Sequence, residues 1–136
     1  MTAIADAGLL IAFLNRNDAA HAWAVQAMQA HAPFLVCEAV LTEAAAVTGK
    51  PAAILRLVLR GDLRPQFELT PQNVARLVEL LDKYADQPMD LGDACVVRMS
   101  ELEPAATVFT VDRDDFAVYR RARRQPVPCA FPPTER

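Results

Sequence analysis

Four acidic residues in this sequence have types and positions that would let them bind a divalent cation together. Asp6 breaks an apolar run, and Glu43 is the one charged residue in the stretch VLTEAAAV. Asp93 follows Asp90 by three residues, so both share one face in the first turn of a predicted helix. Asp112 directly follows the apolar run VFTV. Mg²⁺ and Mn²⁺ prefer carboxylate oxygens and water as ligands, and either cation would relieve the repulsion among such acids.

Each of these carboxylates also has a structural explanation that requires no metal. A buried Asp6 could be held by a hydrogen bond or a salt bridge, which would offset the cost of removing its charge from water. Asp90 and Asp93 could stabilise the dipole at the start of their helix. Asp112 could cap a turn or a helix, a role that the neighbouring Asp114 and Asp115 suit better. The prediction of a metal site therefore depends on the acids meeting at one place.

The histidines and cysteines are weaker candidates for chemistry. His21 and His31 do not have the spacing of zinc ligands and are predicted to lie at the surface. Cys37, Cys95 and Cys129 are scattered along the chain, and we expect buried, reduced thiols at all three positions. An oxygen-only site favours phosphoryl chemistry over thiolate or imidazole chemistry.

The elements that must position the acids alternate between predicted strands and helices. The strand-like segments are the apolar run that begins residues 2–14, then residues 34–37, 66–69 and 106–111, and at most one short edge strand in the tail at 126–133. The predicted helices are about a dozen residues after Asp18, residues 38–48 ended by Gly49, residues 51–60, a helix starting at Thr70 and Pro71, and residues 90–103. This alternation predicts parallel strands in a three-layer α/β/α fold. Open sheets of this kind place functional sites beyond the carboxyl ends of their strands, where we expect Asp6 and Asp112.

The composition is that of a well-packed globular chain. Its 136 residues fit one domain, with 53% of them hydrophobic and 23% charged. No apolar run reaches the roughly 20 residues of a membrane span, so we expect no membrane partner.

Binding to nucleic acid would need a local basic patch, because the net charge of −3 does not favour bulk attraction. Arg120, Arg121, Arg123 and Arg124 concentrate four positive charges in five residues and could contact RNA phosphates, although a solvated surface run has the same pattern. Tyr119 beside them could stack a base or simply pack in the core.

Four segments, taken in order along the chain, resemble the PIN-domain family and in particular its VapC-like toxin ribonucleases. They are IADAGLLIAFLNRND, VLTEAAA, PMDLGDACVV and VFTVDRDDFAVYRR, which span residues 3 to about 121. The resemblance implies a PIN-like fold with a central parallel sheet, and hydrolysis of RNA phosphodiester bonds that depends on Mg²⁺ or Mn²⁺. It also implies that Asp6, Glu43, Asp93 and Asp112 bind the metal and carry the catalysis.

The resemblance leaves alternatives open at the site and in the function. Ala7 follows Asp6 where the family pattern has Thr or Ser, which removes one hydroxyl from the site. Asp115 could replace Asp112 as the fourth acid, and Asp90 is a further candidate. A catalytically silent PIN-like module that binds RNA or protein is the alternative function.

The organisation and partners follow from the same resemblance. We expect a single PIN-like domain over residues 1–136, with a core at about 2–121 and a short tail at 122–136. Stand-alone PIN-domain proteins of this length are commonly toxins of type II toxin-antitoxin pairs. The resemblance therefore implies RNA, a small antitoxin protein and a second copy of the chain as partners. Reduced thiols imply a cytoplasmic location.

Overall fold

Short strands and longer helices alternate along the computed structural model, which describes residues 1–134. The strands within that range are β1 (Ala3–Ala5), β2 (Phe34–Val36), β3 (Leu63–Pro65), β4 (Thr107–Phe109), β5 (Arg120–Arg121), β6 (Gln125–Pro126) and β7 (Cys129–Ala130). The α-helices there are α1 (Ala7–Leu14), α2 (His21–His31), α3 (Glu38–Thr48), α4 (Pro51–Leu59), α5 (Pro71–Lys83), α6 (Leu91–Leu102) and α7 (Arg113–Val118).

Five of the strands form one parallel sheet, in the order β3-β2-β1-β4-β7. β1 lies at its centre, where Ala3 pairs with Phe34 of β2 on one side and with Thr107 of β4 on the other. Helices flank this sheet, so the predicted α/β/α fold with a central parallel sheet is confirmed. The carboxyl ends of β1, β2 and β4 therefore meet at one edge of the sheet.

Capping residues explain why several helices begin and end where the sequence predicts. Thr70 accepts a hydrogen bond from the backbone N–H of Asn73 at 3.2 Å, which caps the start of α5. Asp90 and Asp93 form a capping box at the start of α6. Gly49 ends α3 with a φ of 66°, in the left-handed region that glycine adopts without strain.

Two predicted strand boundaries are wrong. The first strand ends at Ala5, and residues 7–14 form helix α1 instead of extending it. Asp6 causes the change, because its side chain accepts a hydrogen bond from the backbone N–H of Ala7 and caps the helix. The segment at 66–69 is not a strand, and its place in the sheet is taken by β3 just before it.

The two histidines are half-buried, whereas the sequence predicted them at the surface. His21 begins α2, three residues after Asp18, and its Nδ1 lies 2.8 Å from the carbonyl oxygen of Ala12. The His31 ring packs against Phe109 with the ring centroids 5.0 Å apart. Both rings therefore help to hold α2 against the rest of the fold.

The tail adds the last strand to the sheet. β7 is the short edge strand predicted there, whereas the antiparallel pair of β5 and β6 was not predicted. The three cysteines are free thiols; Cys37 and Cys95 are buried as expected, whereas Cys129 on the edge strand β7 is only half-buried. Within residues 1–134, no helix is both long and apolar enough to cross a membrane.

Candidate metal centre

Three carboxylates meet at the carboxyl edge of the sheet. Asp6 directly follows β1, Asp112 lies shortly after β4, and Asp93 is in the first turn of α6. One carboxylate oxygen from each residue lies within 4.8 Å of those from the other two. Asp6 and Asp93 are 4% and 8% exposed, while Asp112 faces solvent. Two strand ends and the start of one helix therefore bring these three acids together.

Thr110 connects two of the three acids. Its hydroxyl donates a hydrogen bond to Asp6 Oδ2 at 2.7 Å and accepts one from the backbone N–H of Asp112 at 3.1 Å. The other oxygen of Asp6 accepts from the Ala7 N–H at 2.9 Å. Thr110 is fully buried and was not singled out from the sequence, although it is the polar residue within the apolar run that precedes Asp112. Thr110 therefore supplies a hydroxyl beside Asp6, where Ala7 has none to offer.

Tyr119 holds the third acid. Its hydroxyl donates to Asp93 Oδ2 at 3.0 Å, and its ring packs edge-on against Tyr84 and Phe116. Asp93 is also tied to Asp90, whose Oδ1 accepts from the Asp93 N–H at 2.8 Å. Because Tyr119 has no exposed surface, it cannot stack a base, and the packed alternative is the correct one.

The three acids are held in surroundings that disfavour their negative charges. Burial raises the pKa of Asp6 to about 6, despite the hydrogen bonds from Thr110 and Ala7 that lower it. Burial, followed by the charges of Asp90 and Asp6, raises the pKa of Asp93 to about 7. The pKa of Asp112 is raised by burial as well. A cation among these carboxylates would offset both the burial and the mutual repulsion.

Glu43 and Asp90 lie beside this cluster, on its solvent side. Both residues are exposed. Partial burial, then the charge of Asp90 and a hydrogen bond with it, raises the pKa of Glu43 to about 7; the charges of Asp6 and Asp112 add to this. The charges of two of the three converging acids therefore act on Glu43, although its oxygens are not among those that lie within 4.8 Å of one another.

Asp115, the predicted stand-in for Asp112, occupies a different place. It is half-buried in the first turn of α7, and its charge contributes to the raised pKa of Asp112 after burial. The oxygens that meet those of Asp6 and Asp93 are from Asp112. The geometry thus favours Asp112 as a direct ligand and Asp115 as its neighbour.

The comparison with known families agrees with this arrangement. The PIN domain model matches residues 3–122. The chain belongs to the PIN domain family. No curated protein matches this PIN-domain chain.

Two solved structures share the fold of this PIN-domain protein. VapC20 from Mycobacterium tuberculosis, described as a toxin that cleaves the sarcin-ricin loop, is 18% identical with a TM-score of 0.74; the match covers 85% of this chain and 94% of that one. VapBC2 from Rickettsia felis, solved in complex with a DNA fragment from its promoter, is 12% identical with a TM-score of 0.64. The match covers 96% of this chain and 98% of that one. At these identities the likeness shows the fold.

The donor set of this PIN-domain protein suits a hard cation. The converging ligand atoms are carboxylate oxygens, which Mg²⁺ and Mn²⁺ prefer. Softer metals prefer thiolate or imidazole ligands instead. The two buried acids, Asp6 and Asp93, already carry hydrogen bonds that fix their orientation. The residues present therefore fit a divalent cation with Asp6, Asp93 and Asp112 as ligands.

The four arginines of the predicted basic patch have two different environments in the PIN-domain fold. Arg120 is half-buried and donates to the carbonyl oxygens of Ala117 and Tyr119 at 2.8 and 3.0 Å. Arg121 donates to the Ser100 carbonyl at 2.8 Å, near the end of α6 opposite Asp93. The remaining two, Arg123 and Arg124, are exposed in the turn between β5 and β6.

Proposed function

We propose that this PIN-domain protein is an Mg²⁺- or Mn²⁺-dependent endoribonuclease and the toxin of a type II toxin-antitoxin pair. The observation that supports the proposal most directly is the convergence of the Asp6, Asp93 and Asp112 carboxylates within 4.8 Å in a chain of this family. Glu43 is proposed as the fourth catalytic acid, with Asp90 and Asp115 in supporting positions.

The residues of the centre would bind and orient the reacting groups. Bound Mg²⁺ or Mn²⁺ would lower the pKa of a coordinated water and neutralise charge on the scissile phosphate. Asp6 and Asp93 are fixed by hydrogen bonds from Thr110 and Tyr119, so these carboxylates need little rearrangement when substrate arrives. Glu43 is exposed and has a pKa of about 7, so it is placed to exchange protons with water near neutral pH.

Induced expression in a bacterial host tests the toxin role. We expect growth arrest with fragmented RNA, and relief of that arrest by the small protein encoded beside the toxin. Normal growth with intact RNA, at expression levels confirmed by immunoblotting, would contradict the proposal and favour a silent binding module.

The shared fold also bears on partners and location. By similarity to the VapBC2 structure, we propose a small antitoxin as one protein partner. We also propose a second copy of the chain as a partner. Leu55 and Leu59 on α4 and Val74 and Val78 on α5 are exposed apolar side chains that offer surface for such contacts. The free thiols fit a cytoplasmic protein.

RNA is the proposed substrate, by similarity to the toxin that cleaves the sarcin-ricin loop. Arg123 and Arg124 are the most exposed members of the basic patch and are proposed to contact phosphates. Arg120 and Arg121 are proposed to contribute through their charge, since their guanidinium groups also hold helix carbonyls.

We expect the Arg123→Gln/Arg124→Gln double variant to bind RNA more weakly and with a shallower salt dependence. For every phosphate that is no longer neutralised by an arginine, the slope of log K against log salt should become shallower by about 0.7 for a single strand. Fluorescence anisotropy with a labelled single-stranded RNA over a salt series measures both effects. The Arg16→Gln/Arg64→Gln variant is a matched control, because both arginines are exposed and Arg64 lies beside Met1 at the amino end of the sheet. An equally weakened control pair would contradict the assigned patch.

We expect Tyr119→Phe to weaken Mn²⁺ binding by about tenfold or more, as is typical when a group that orients a metal ligand is removed. The variant keeps the ring packing but removes the hydroxyl that donates to Asp93. Tyr84→Phe is the control, since its buried hydroxyl bonds to the backbone N–H of Arg120 at 2.8 Å instead of to an acid. Isothermal titration calorimetry with Mn²⁺ compares the two variants, and equal weakening in both would rule out a positioning role for Tyr119.

A further inference from the structure

Two of the free cysteines lie side by side in the core, although they are far apart in the sequence. Cys37 lies between β2 and α3, and Cys95 is on α6, one turn from the start of that helix. The two thiols are close enough to act on each other, because each is the largest single influence on the pKa of the other. Both residues are buried, with exposed fractions of 2% and 3%.

The two thiols also line the same cavity. It has a volume of about 480 Å³ and lies between α3, the start of α6 and the segment after β3. Thr42 and Phe67 form part of its wall, and Leu69 and Leu91, which are exposed at the protein surface, also line it. A small uncharged oxidant can therefore approach the buried sulfur atoms without unfolding of the chain.

We propose that Cys37 and Cys95 form an oxidisable dithiol that closes to an intramolecular disulfide on reaction with hydrogen peroxide. The first sulfur attacks one peroxide oxygen, so that an S–O bond forms, the O–O bond breaks and water leaves, which gives a sulfenic acid. The second sulfur then attacks the first, so that the S–S bond forms, the S–O bond breaks and a second water leaves. Two thiols lose two electrons and two protons in total, and one peroxide is reduced to two waters.

The positions of the two residues assign their order of reaction. Cys37 lies at the N-terminal end of α3, where the helix dipole favours negative charge on sulfur. The Cys95 thiol lowers the pKa of Cys37, burial opposes the change, and the backbone N–H groups of Val40 and Ala39 lower it further. Cys37 is thus the attacking residue and Cys95 the resolving one.

Cys129 serves as an internal control. It lies on β7, and the sheet order places β1 and β4 between β7 and β2, the strand that precedes Cys37. Three strand spacings of about 4.8 Å separate Cys129 from that strand by roughly 14 Å, which is too far for a disulfide in the folded chain. Burial also raises the pKa of the Cys129 thiol to about 12.

The bridge would join the end of β2 to α6 close to Asp93, which precedes Cys95 by two residues. The dithiol itself does not depend on the proposed nuclease activity. Its test therefore measures the oxidation state of the cysteines, and the result does not depend on whether the protein cleaves RNA.

The experiment treats the folded, full-length protein with hydrogen peroxide in metal-free buffer, then unfolds it in excess iodoacetamide and measures the intact mass. We expect a product with a single alkylated cysteine, Cys129, in which the other two thiols have lost two hydrogens. Peptide mapping should find Cys37 linked to Cys95, and dithiothreitol should restore three alkylatable thiols.

Single-cysteine variants provide the controls. Cys37→Ser and Cys95→Ser should not form the product, whereas Cys129→Ser should form it at the wild-type rate. Three alkylatable thiols after peroxide treatment, a sulfinic acid at Cys37 without a disulfide, or a bridge that involves Cys129 would each overturn the proposal. Because mapping of the wild-type protein decides the question alone, a variant that fails to fold does not affect the outcome.

Discussion

Asp93→Asn is expected to slow metal-dependent RNA cleavage by this PIN-domain protein by about 100-fold or more, the reduction seen when a group that stabilises transition-state charge is removed. Asparagine has the same shape and keeps an oxygen that can accept the Tyr119 hydrogen bond. The substitution therefore removes one negative ligand from the centre without opening a cavity. Cleavage of a fluorescent RNA in Mg²⁺ or Mn²⁺, against an EDTA blank, measures the change.

The same substitution is expected to raise the melting temperature of the metal-free protein above pH 7. Burial and then the charges of Asp90 and Asp6 raise the pKa of Asp93 from 3.8 to about 7. The folded state therefore holds a proton more tightly than the unfolded state, so ionised Asp93 destabilises the fold above pH 7. This destabilisation disappears as the pH falls from 7 towards 3.8. The advantage of the variant should thus be largest above pH 7 and should shrink in acid, as thermal unfolding in EDTA can show.

Asp86→Asn is the matched control for both measurements. Asp86 is an exposed acid in the turns that follow α5, outside the converging carboxylates. We expect wild-type cleavage and wild-type stability for this control. Cleavage by Asp93→Asn at the wild-type rate, or no cleavage by the wild-type protein with either cation, would contradict the proposed chemistry.

The alternation of strands and helices was predictable from the sequence, but the exact strands were less so. Strands of three residues that are buried on both faces, such as Ala3–Ala5, carry no alternating pattern to mark their ends. The helix that starts after Asp6 consists of apolar residues that suit either structure, so the strand was predicted too long. Leu63–Pro65 contains an arginine and a proline and was missed in favour of the more strand-like residues 66–69.

The candidate site was predictable where it depends on strand ends and not where it depends on tertiary contacts. Asp6 and Asp112 follow neighbouring parallel strands, so their approach follows from the fold. Tyr119 reaches Asp93 only because the segment after α7 packs beside α6. No local pattern marks such a contact. In the same way, nothing near Arg121 in the sequence predicts that it would hold a carbonyl of α6.

Glu101→Gln is expected to lower the free energy of unfolding by about 3 kcal/mol, because it removes one partner from a buried ion network. The Glu101 side chain is 3% exposed and receives hydrogen bonds from Arg76 Nε and Nη2 at 2.9 and 2.7 Å, which join α5 to α6. Arg98 adds a third contact at 3.3 Å. Without the carboxylate, both guanidinium groups keep their charge in partly buried places, and the melting temperature should fall by about 10 °C.

Glu79→Gln separates the effect of burial from that of removing any partner of Arg76. Glu79 contacts the same guanidinium at 3.1 Å, but its side chain is 68% exposed, so its replacement should change stability by less than about 0.5 kcal/mol.

The pH dependence of stability gives a second check on the role of Glu101. Burial would raise the pKa of Glu101, but the Arg76 hydrogen bonds outweigh it and the pKa is lowered below 4.5. The stabilisation is therefore present above pH 4.5 and is lost as the pH falls further, so the wild-type and Glu101→Gln curves should converge in acid. Equal effects of the two substitutions would show that the network is not the buried support of α6 inferred from its geometry.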